Sequence, residues 1–272
     1  MTTYLRAYYH CNPSESEALS ERLFAKGVWS LTEHHEGNIT RIEAISDVDI
    51  DHSDAHHVET VTDHDWLTDA TCTQEISLVI GDFEIIPMGQ SARFSDKTPL
   101  YINPTGVFGD GHHPSTVLCG QALQSVTPTP QHVLDIGTGS GILALIAKHR
   151  FPTARVTGID IEITSIEIAQ ANSRVNQLVC DFFHTDAAQY QPLTQPDLIV
   201  ANLPTDIQLL LAPHIATWLA PGGQVVVSGV WETWETTVED AYLKEGFQIL
   251  TTDKQDGWCG FVFCKPKNTT TP

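Results

Sequence analysis

The sequence predicts an α/β protein: a doubly wound, mostly parallel sheet with a small α/β unit ahead of it. Three observations carry this. The run Val133-Leu-Asp-Ile-Gly-Thr-Gly-Ser-Gly141 is apolar and ends in glycines, and Ile142 to Arg150 follows with a helical pattern. A second apolar run, Val156 to Asp160, ends in an acid 23 positions after Gly137. From residue 115 to about 265, strand-like and helix-like segments alternate, as they do when helices cover both faces of a parallel sheet.

The elements follow in order. Tyr4 to Tyr9 reads as a strand. Pro13 to Gly27 reads as a helix, with proline and acids at its start and Gly27 after Lys26 at its end. Val28 to Thr32 and Ile39 to Ile45 are further strands, joined by a turn at Gly37-Asn38. Residues 47–69 hold eight acids, four histidines and no lysine or arginine, and read as a solvated connector. His56 and His57 are adjacent, which is not ligand spacing on a helix, so no metal site is expected. Strand character returns from Glu75 to Pro87. The expected division is a small unit at 1–60, a connector with lead-in strands at 61–100, a larger doubly wound domain at 101–265 and a disordered tail at 266–272.

Composition bounds the function. The chain has 272 residues, 41% of them hydrophobic, and a formal net charge of −20. That charge repels phosphates, so nucleic acid is not expected as a direct partner, whereas a basic protein is. No apolar stretch approaches the roughly 20 residues of a membrane helix, and the first ten residues are too polar for a secretory signal. Six scattered cysteines without a CxxC pair suggest reduced thiols and a cytoplasmic location.

The glycine turn sets the ligand. Glycines let backbone approach a ligand closely, and an acid at the tip of the next strand can accept hydrogen bonds from both ribose hydroxyls. A nucleoside or nucleotide is therefore expected. A dinucleotide fingerprint requires a small residue at the sixth position from Gly137, and here that position is Ile142. The pattern is instead Asp-x-Gly-x-Gly-x-Gly, opened by Asp135, and it resembles the first motif of class I S-adenosylmethionine methyltransferases. Pro196 to Pro204 is a further strand that ends at Asn202. The carboxyl edge of such a sheet should gather Asp135, Asp160 and Asn202, with Asn202 facing the methyl donor. Asp186, between the strands, is a candidate for the adenine amino group or a solvated loop acid.

The segment before the motif narrows the family. Phe108-Gly-Asp-Gly-His-His-Pro-Ser-Thr116 is a glycine-rich loop that runs into a helix start, where a carboxylate such as that of methionine can bind. It resembles the Phe-Gly-Thr-Gly-Thr-His-Pro-Thr-Thr signature of PrmA-type ribosomal protein L11 methyltransferases. Gly139-Ser-Gly-Ile-Leu-Ala144, Gly158-Ile-Asp-Ile161, Ala201-Asn-Leu203, Leu219-Ala-Pro-Gly-Gly223 and Gly257-Trp258 extend the likeness over roughly residues 100–265. Asp110 and His112 replace two threonines of the signature, and Pro204 replaces a leucine. Before residue 100 the likeness is one of outline, ending in Asp65-Trp66.

The resemblance implies a Rossmann-like class I domain, S-adenosylmethionine as cofactor, and a small N-terminal domain that recognises the substrate. That substrate would be a large-subunit ribosomal protein methylated on lysine or N-terminal amines. The family's cofactor contacts fall on Thr116, Gly137, Asp160 and Asn202. Gly139 belongs to the same turn, and Phe108 and His113 to a loop expected to close over the methionine end. No general base is assigned. Trp231, Trp234 and Trp258 are candidates for core packing or for the walls of a methylammonium site. A small-molecule methyltransferase and a non-catalytic nucleoside-binding relative are the alternative readings.

Overall fold

The computed structural model describes residues 3–28, 30–36, 39–47, 50–62, 78–103 and 107–267. The Gly37-Asn38 turn, the Asp65-Trp66 pair, Cys72 and the tail from residue 268 lie outside them. The chain divides into two compact units, Met1–Gln74 and Glu75–Pro272.

In the smaller unit, strand β1 (Thr3–Cys11) leads through a short 3-10 turn at Pro13–Glu15 into helix α1 (Ser16–Ala25). Strands β2 (Ser30–Glu36), β3 (Ile39–Asp47) and β4 (His57–Thr62) complete it. The sheet order is β2-β3-β1-β4, with every neighbouring pair antiparallel. Alternate residues of β1 and β3, among them Ala7, Tyr9, Ile42 and Ala44, meet Leu23 of α1 in one small core. Two expectations are corrected. The acidic stretch is not connector throughout, because its residues 57–62 form β4, and the expected boundary at residue 60 falls inside that strand. Charge hid the strand, which lies at the edge of the sheet with His57, Val58 and Thr60 exposed. His52, expected in solvent, is buried, with its Nδ1 2.6 Å from the Tyr9 hydroxyl and its Nε2 2.7 Å from that of Ser46.

The larger unit opens with strands β5 (Leu78–Ile80), β6 (Phe83–Pro87) and β7 (Thr98–Ile102), which form a three-stranded sheet. Their side chains Ile80, Phe83, Ile85, Leu100 and Ile102 pack into the same core as the glycine-turn helix, so this unit begins well before residue 101. The main sheet contains β8 (His132–Ile136), β9 (Arg155–Asp160), β10 (Asp181–His184), β11 (Leu198–Asn202), β12 (Gln224–Trp231), β13 (Gln248–Gln255) and β14 (Trp258–Cys264). Its order is β10-β9-β8-β11-β12-β14-β13. The first five strands in that order run parallel, and β14 and β13 are antiparallel additions.

Side chains alternate across this sheet and divide the core in two. Val133, Leu198, Val200 and Val226 face α2 (Pro114–Ser125), α3 (Ile142–Arg150) and α4 (Ile163–Val175). Leu134, Ile136, Ile199, Ala201 and Val227 face α5 (Thr205–Trp218) and α6 (Glu235–Lys244). From β8 the chain winds outward to β9 and β10, then returns to β11 on the other side. The strand order therefore reverses between β8 and β11, and a crevice forms there at the carboxyl ends of the strands. Among the described residues no helix is long and apolar enough to cross a membrane. Cys11, Cys119, Cys180, Cys259 and Cys264 are free thiols.

Candidate functional site

The crevice is built on the glycine turn between β8 and α3. Gly137 N–H and Thr138 N–H both donate to the Ile159 carbonyl, at 2.9 and 3.0 Å, which ties the turn to β9. Gly139 N–H donates to Asp160 Oδ2 at 2.9 Å, and Glu162 N–H donates to Asp160 Oδ1 at 3.0 Å. Asp160 is only half-buried, and each carboxylate oxygen keeps further acceptor capacity. Gly139 has φ +52°, and a Cβ there would lie 2.4 Å from the Phe108 carbonyl oxygen. Only glycine fits, because another stretch of backbone occupies that space.

That backbone is the loop singled out from the sequence. Ser140 N–H donates to the Phe108 carbonyl at 2.9 Å, and the Ser140 hydroxyl donates to the Gly109 carbonyl. Asn172 of α4, fully buried, braces both: its amide donates to the Ser140 carbonyl, and its Oδ1 accepts from Asn103 N–H, each at 2.9 Å. Sequence reasoning missed Ser140 and Asn172, since nothing local marks a helix asparagine 32 residues away as a partner of the turn.

Asp135 is buried beneath the turn and accepts from the Thr138 hydroxyl at 2.7 Å. Burial pushes its carboxyl up to about 7. It acts on the turn from below and is not open to a ligand.

His113 caps α2. Its Nδ1 accepts from Ser115 N–H at 3.3 Å and lies 2.7 Å from the Ser115 hydroxyl. An accepting Nδ1 places the ring proton on Nε2. Burial lowers the affinity of this ring for a second proton, against the opposing pull of Asp110, so neutral imidazole is favoured. Burial raises the Asp110 carboxyl, but hydrogen bonds from the His112 side chain and backbone outweigh it and hold the acid below its usual range.

Thr116, one turn into α2, meets Asn202 at the end of β11. Asn202 Nδ2 donates to Thr116 Oγ1 at 3.3 Å, which leaves Asn202 Oδ1 aimed elsewhere. That oxygen is buried and has no hydrogen-bond partner among the described residues. Gln208 of α5, also missed from sequence, donates to the Ala201 and Ser228 carbonyls at 2.6 and 2.9 Å, and so fixes the strand ends on either side of Asn202.

The sequence-predicted residues therefore assemble in two linked groups. Gly137, Gly139, Asp160 and Phe108 converge on the turn, and Thr116 and Asn202 meet across α2 and β11. His113 joins them through α2 and packs its ring against Trp258. Asp186 is set further out. It caps a short turn at Ala187–Gln189, accepting from Ala188 N–H at 2.8 Å, while neighbouring Thr185 N–H donates to the Asp160 carbonyl. Trp231 and Trp258 are in contact, whereas Trp234 is half exposed on the following turn.

The arrangement fits an adenosine-bearing cofactor: an acid at the tip of β9, a turn stripped of Cβ atoms, and a buried, unpaired amide oxygen at the end of β11. Comparison with known proteins agrees. The sequence profile of the family described as ribosomal protein L11 methyltransferase (PrmA) matches residues 5–266. A ribosomal protein L11 methyltransferase of Caulobacter sp. is 33% identical over 214 residues, covering 76% of this chain and 74% of that protein. The one from Halalkalibacterium halodurans is 30% identical over 218 residues, covering 79% and 69%. Among solved structures, the ribosomal protein L11 methylase of Lactobacillus delbrueckii subsp. bulgaricus superposes with a TM-score of 0.62 at 28% identity, covering 68% of this chain and 95% of that one. The chain belongs to the ribosomal protein L11 methyltransferase (PrmA) family and is an S-adenosylmethionine-dependent protein methyltransferase.

Proposed function

We propose that this enzyme methylates amines of ribosomal protein L11, the substrate for which its relatives are named, and that Asn202 positions the acceptor nitrogen. The observation that carries the assignment is the buried, unpaired Oδ1 of Asn202, because an orphaned acceptor inside a site is costly unless a ligand donor satisfies it. S-adenosylmethionine supplies a methyl group already activated on a sulfonium, so the C–S bond breaks with its electron pair on sulfur as the amine forms its N–C bond. Asp160 accepts from the ribose hydroxyls, while Gly137 and Gly139 let the cofactor lie against backbone. Phe108, His113 and Thr116 line its methionine end, and Asp186 takes the adenine amino group.

Asn202 Oδ1 accepts one N–H of the incoming amine and turns its lone pair towards the methyl group. The amide is no base, and His113 in its capped tautomer offers Nε2–H, a donor. The amine must therefore arrive neutral, against a free pKa of about 10.4 for lysine. Exclusion of water at the buried amide favours that neutral form. The smaller unit, Met1–Gln74, recognises the protein substrate, and the net charge of −20 favours encounter with a basic ribosomal protein in the cytoplasm.

The test is transfer of labelled methyl to purified ribosomal protein L11 by wild type and by Asn202→Ala. Wild type should label amines of the protein. The variant should lose about tenfold or more in kcat, the cost of one positioning hydrogen bond. Absence of label on L11, or wild-type kcat in the variant, refutes the proposal.

A further inference from the structure

Asn202 stands where the main sheet runs out. On one side the register of β11 with β8 ends a residue earlier, at Ala201 against Ile136. On the other side Asn202 pairs with Ser228, the last such pair between β11 and β12. Just beyond it β12 changes register with β14, between Val227 and Val230. Gly229 in that irregular stretch has φ +81°, and a Cβ on it would collide with the Leu203 carbonyl oxygen. Strand pairing therefore holds Asn202 from one side only.

A buried polar chain supplies the rest. Gln208 of α5 is fully buried and reaches back to the strand ends. Its Nε2 donates at 2.6 Å to the carbonyl of Ala201, which precedes Asn202, and at 2.9 Å to the carbonyl of Ser228, which lies opposite it. The Ser228 carbonyl also accepts from Leu203 N–H at 3.1 Å, so the peptide groups on both sides of Asn202 are tied to one point. Ser228 is fixed in turn, because its hydroxyl donates to the Cys259 carbonyl of β14 at 2.7 Å.

The amide of Gln208 has two N–H donors and one oxygen, and both donors are used on carbonyls. Its oxygen accepts from the Tyr242 hydroxyl of α6 at 2.9 Å. Tyr242 is fully buried, and burial keeps the proton on its oxygen, so this group is a donor. Its ring is stacked on Phe263 at 7°, with centroids 4.6 Å apart, which fixes where the hydroxyl points. Without that hydroxyl the amide oxygen would be buried and orphaned, and nothing would set the plane of the amide. The surroundings, among them Leu211, Ile215, Val238 and Phe261, are apolar. In such a layer a polar pair adds little stability over an apolar pair of the same shape, but it does fix orientation.

We propose that Tyr242 and Gln208 are positioning residues for methyl transfer: Tyr242 sets the Gln208 amide, and Gln208 sets the peptide groups around Asn202 so that its Oδ1 meets the acceptor nitrogen. This rests on the role proposed above for Asn202. Both residues lie in the core and act only through that strand end. The cofactor turn is held separately, by Asp160 and by the Ile159 and Phe108 carbonyls.

The test is kcat on the full-length enzyme, saturated with S-adenosylmethionine and ribosomal protein L11, beside calorimetric titration of the cofactor and thermal melts. Tyr242→Phe keeps the stacked ring and removes only the hydroxyl. It should lower kcat by about three- to tenfold and leave cofactor affinity within about twofold. Gln208→Met keeps the volume, removes both donations and should lower kcat at least as much. A structural role alone would also lower the thermal midpoint, so the deciding variants carry Asn202→Ala as well. In that background Tyr242→Phe should have no further effect on kcat, while its effect on the midpoint persists. Wild-type kcat in Tyr242→Phe, or the same proportional loss with and without Asn202, would overturn the proposal. Wild-type kcat in Asn202→Ala would instead refute the role of Asn202 itself, a result distinct from a strong Asn202 effect that ignores Tyr242. Tyr242→Phe decides alone if Gln208→Met does not fold.

Discussion

Replacement of Asp160 by alanine tests the cofactor assignment most directly. The carboxylate makes two backbone contacts, one to Gly139 N–H and one to Glu162 N–H, through different oxygens. A carboxylate has about four acceptor sites, so two remain for the ribose hydroxyls. Hydrogen bonds to a charged group are worth about 1.5–3 kcal/mol each. Loss of even one to the ribose should weaken S-adenosylmethionine binding by about 10- to 150-fold. The turn itself should survive, because four other backbone bonds hold it: Gly137 N–H and Thr138 N–H to Ile159, Ser140 N–H to Phe108 and Gly141 N–H to Thr138. The thermal midpoint should therefore fall by only a few degrees, since 1 kcal/mol corresponds to about 2–4 °C in a protein of this size. Calorimetric titration with S-adenosylmethionine and a thermal melt on the same sample separate the two effects. Asp160→Asn, which keeps one acceptor oxygen, should lie between alanine and wild type. Affinity within twofold of wild type in a folded Asp160→Ala protein would show that this acid does not hold the ribose.

Other consequences follow from the same geometry. Gly139→Ala would set a Cβ against the Phe108 carbonyl in a backbone conformation that L-residues avoid, and should cost about 1–3 kcal/mol in urea unfolding as well as cofactor affinity; an unchanged midpoint would contradict the packing described. The Asp135 carboxyl titrates near 7 in the fold and near 3.8 unfolded, so the folded state binds more protons between those values. Stability should fall as pH rises from about 4 to 7, and Asp135→Asn should flatten that part of the profile; an identical slope in the variant would count against it. Methylation of ribosomal protein L11 should slow as salt is raised, through a lower kcat/KM, while cofactor affinity changes little; salt-insensitive turnover would leave the charge as a solubility feature.

Legibility from sequence varied along the chain for physical reasons. The strand ends at Gly137, Asp160 and Asn202 were readable because a parallel sheet buried on both faces needs continuous apolar runs, and polar residues then mark where the strands stop. The strand at His57–Thr62 was not, because its histidine and its acid continue an acidic run and its edge position leaves His57, Val58 and Thr60 exposed. Strands Leu78–Ile80 and Phe83–Pro87 were readable as strands but not as part of the larger core. Which core they join is a matter of long-range packing.

The sequence by itself determined the doubly wound sheet, the glycine turn with an acid at the tip of the next strand, and the likeness to the PrmA family, since each depends on local spacing and on the period of apolar residues. Only the tertiary structure decided that Phe108 is bound to the turn, that Asn172 and Gln208 brace the site, that Asn202 turns an unpaired oxygen into it, and that His113 brings Phe108 and the tryptophans of β12 and β14 into one row of rings. Most of these are contacts between residues tens of positions apart. No local pattern encodes them, because they exist only once the strand order and the helix packing have brought those side chains together.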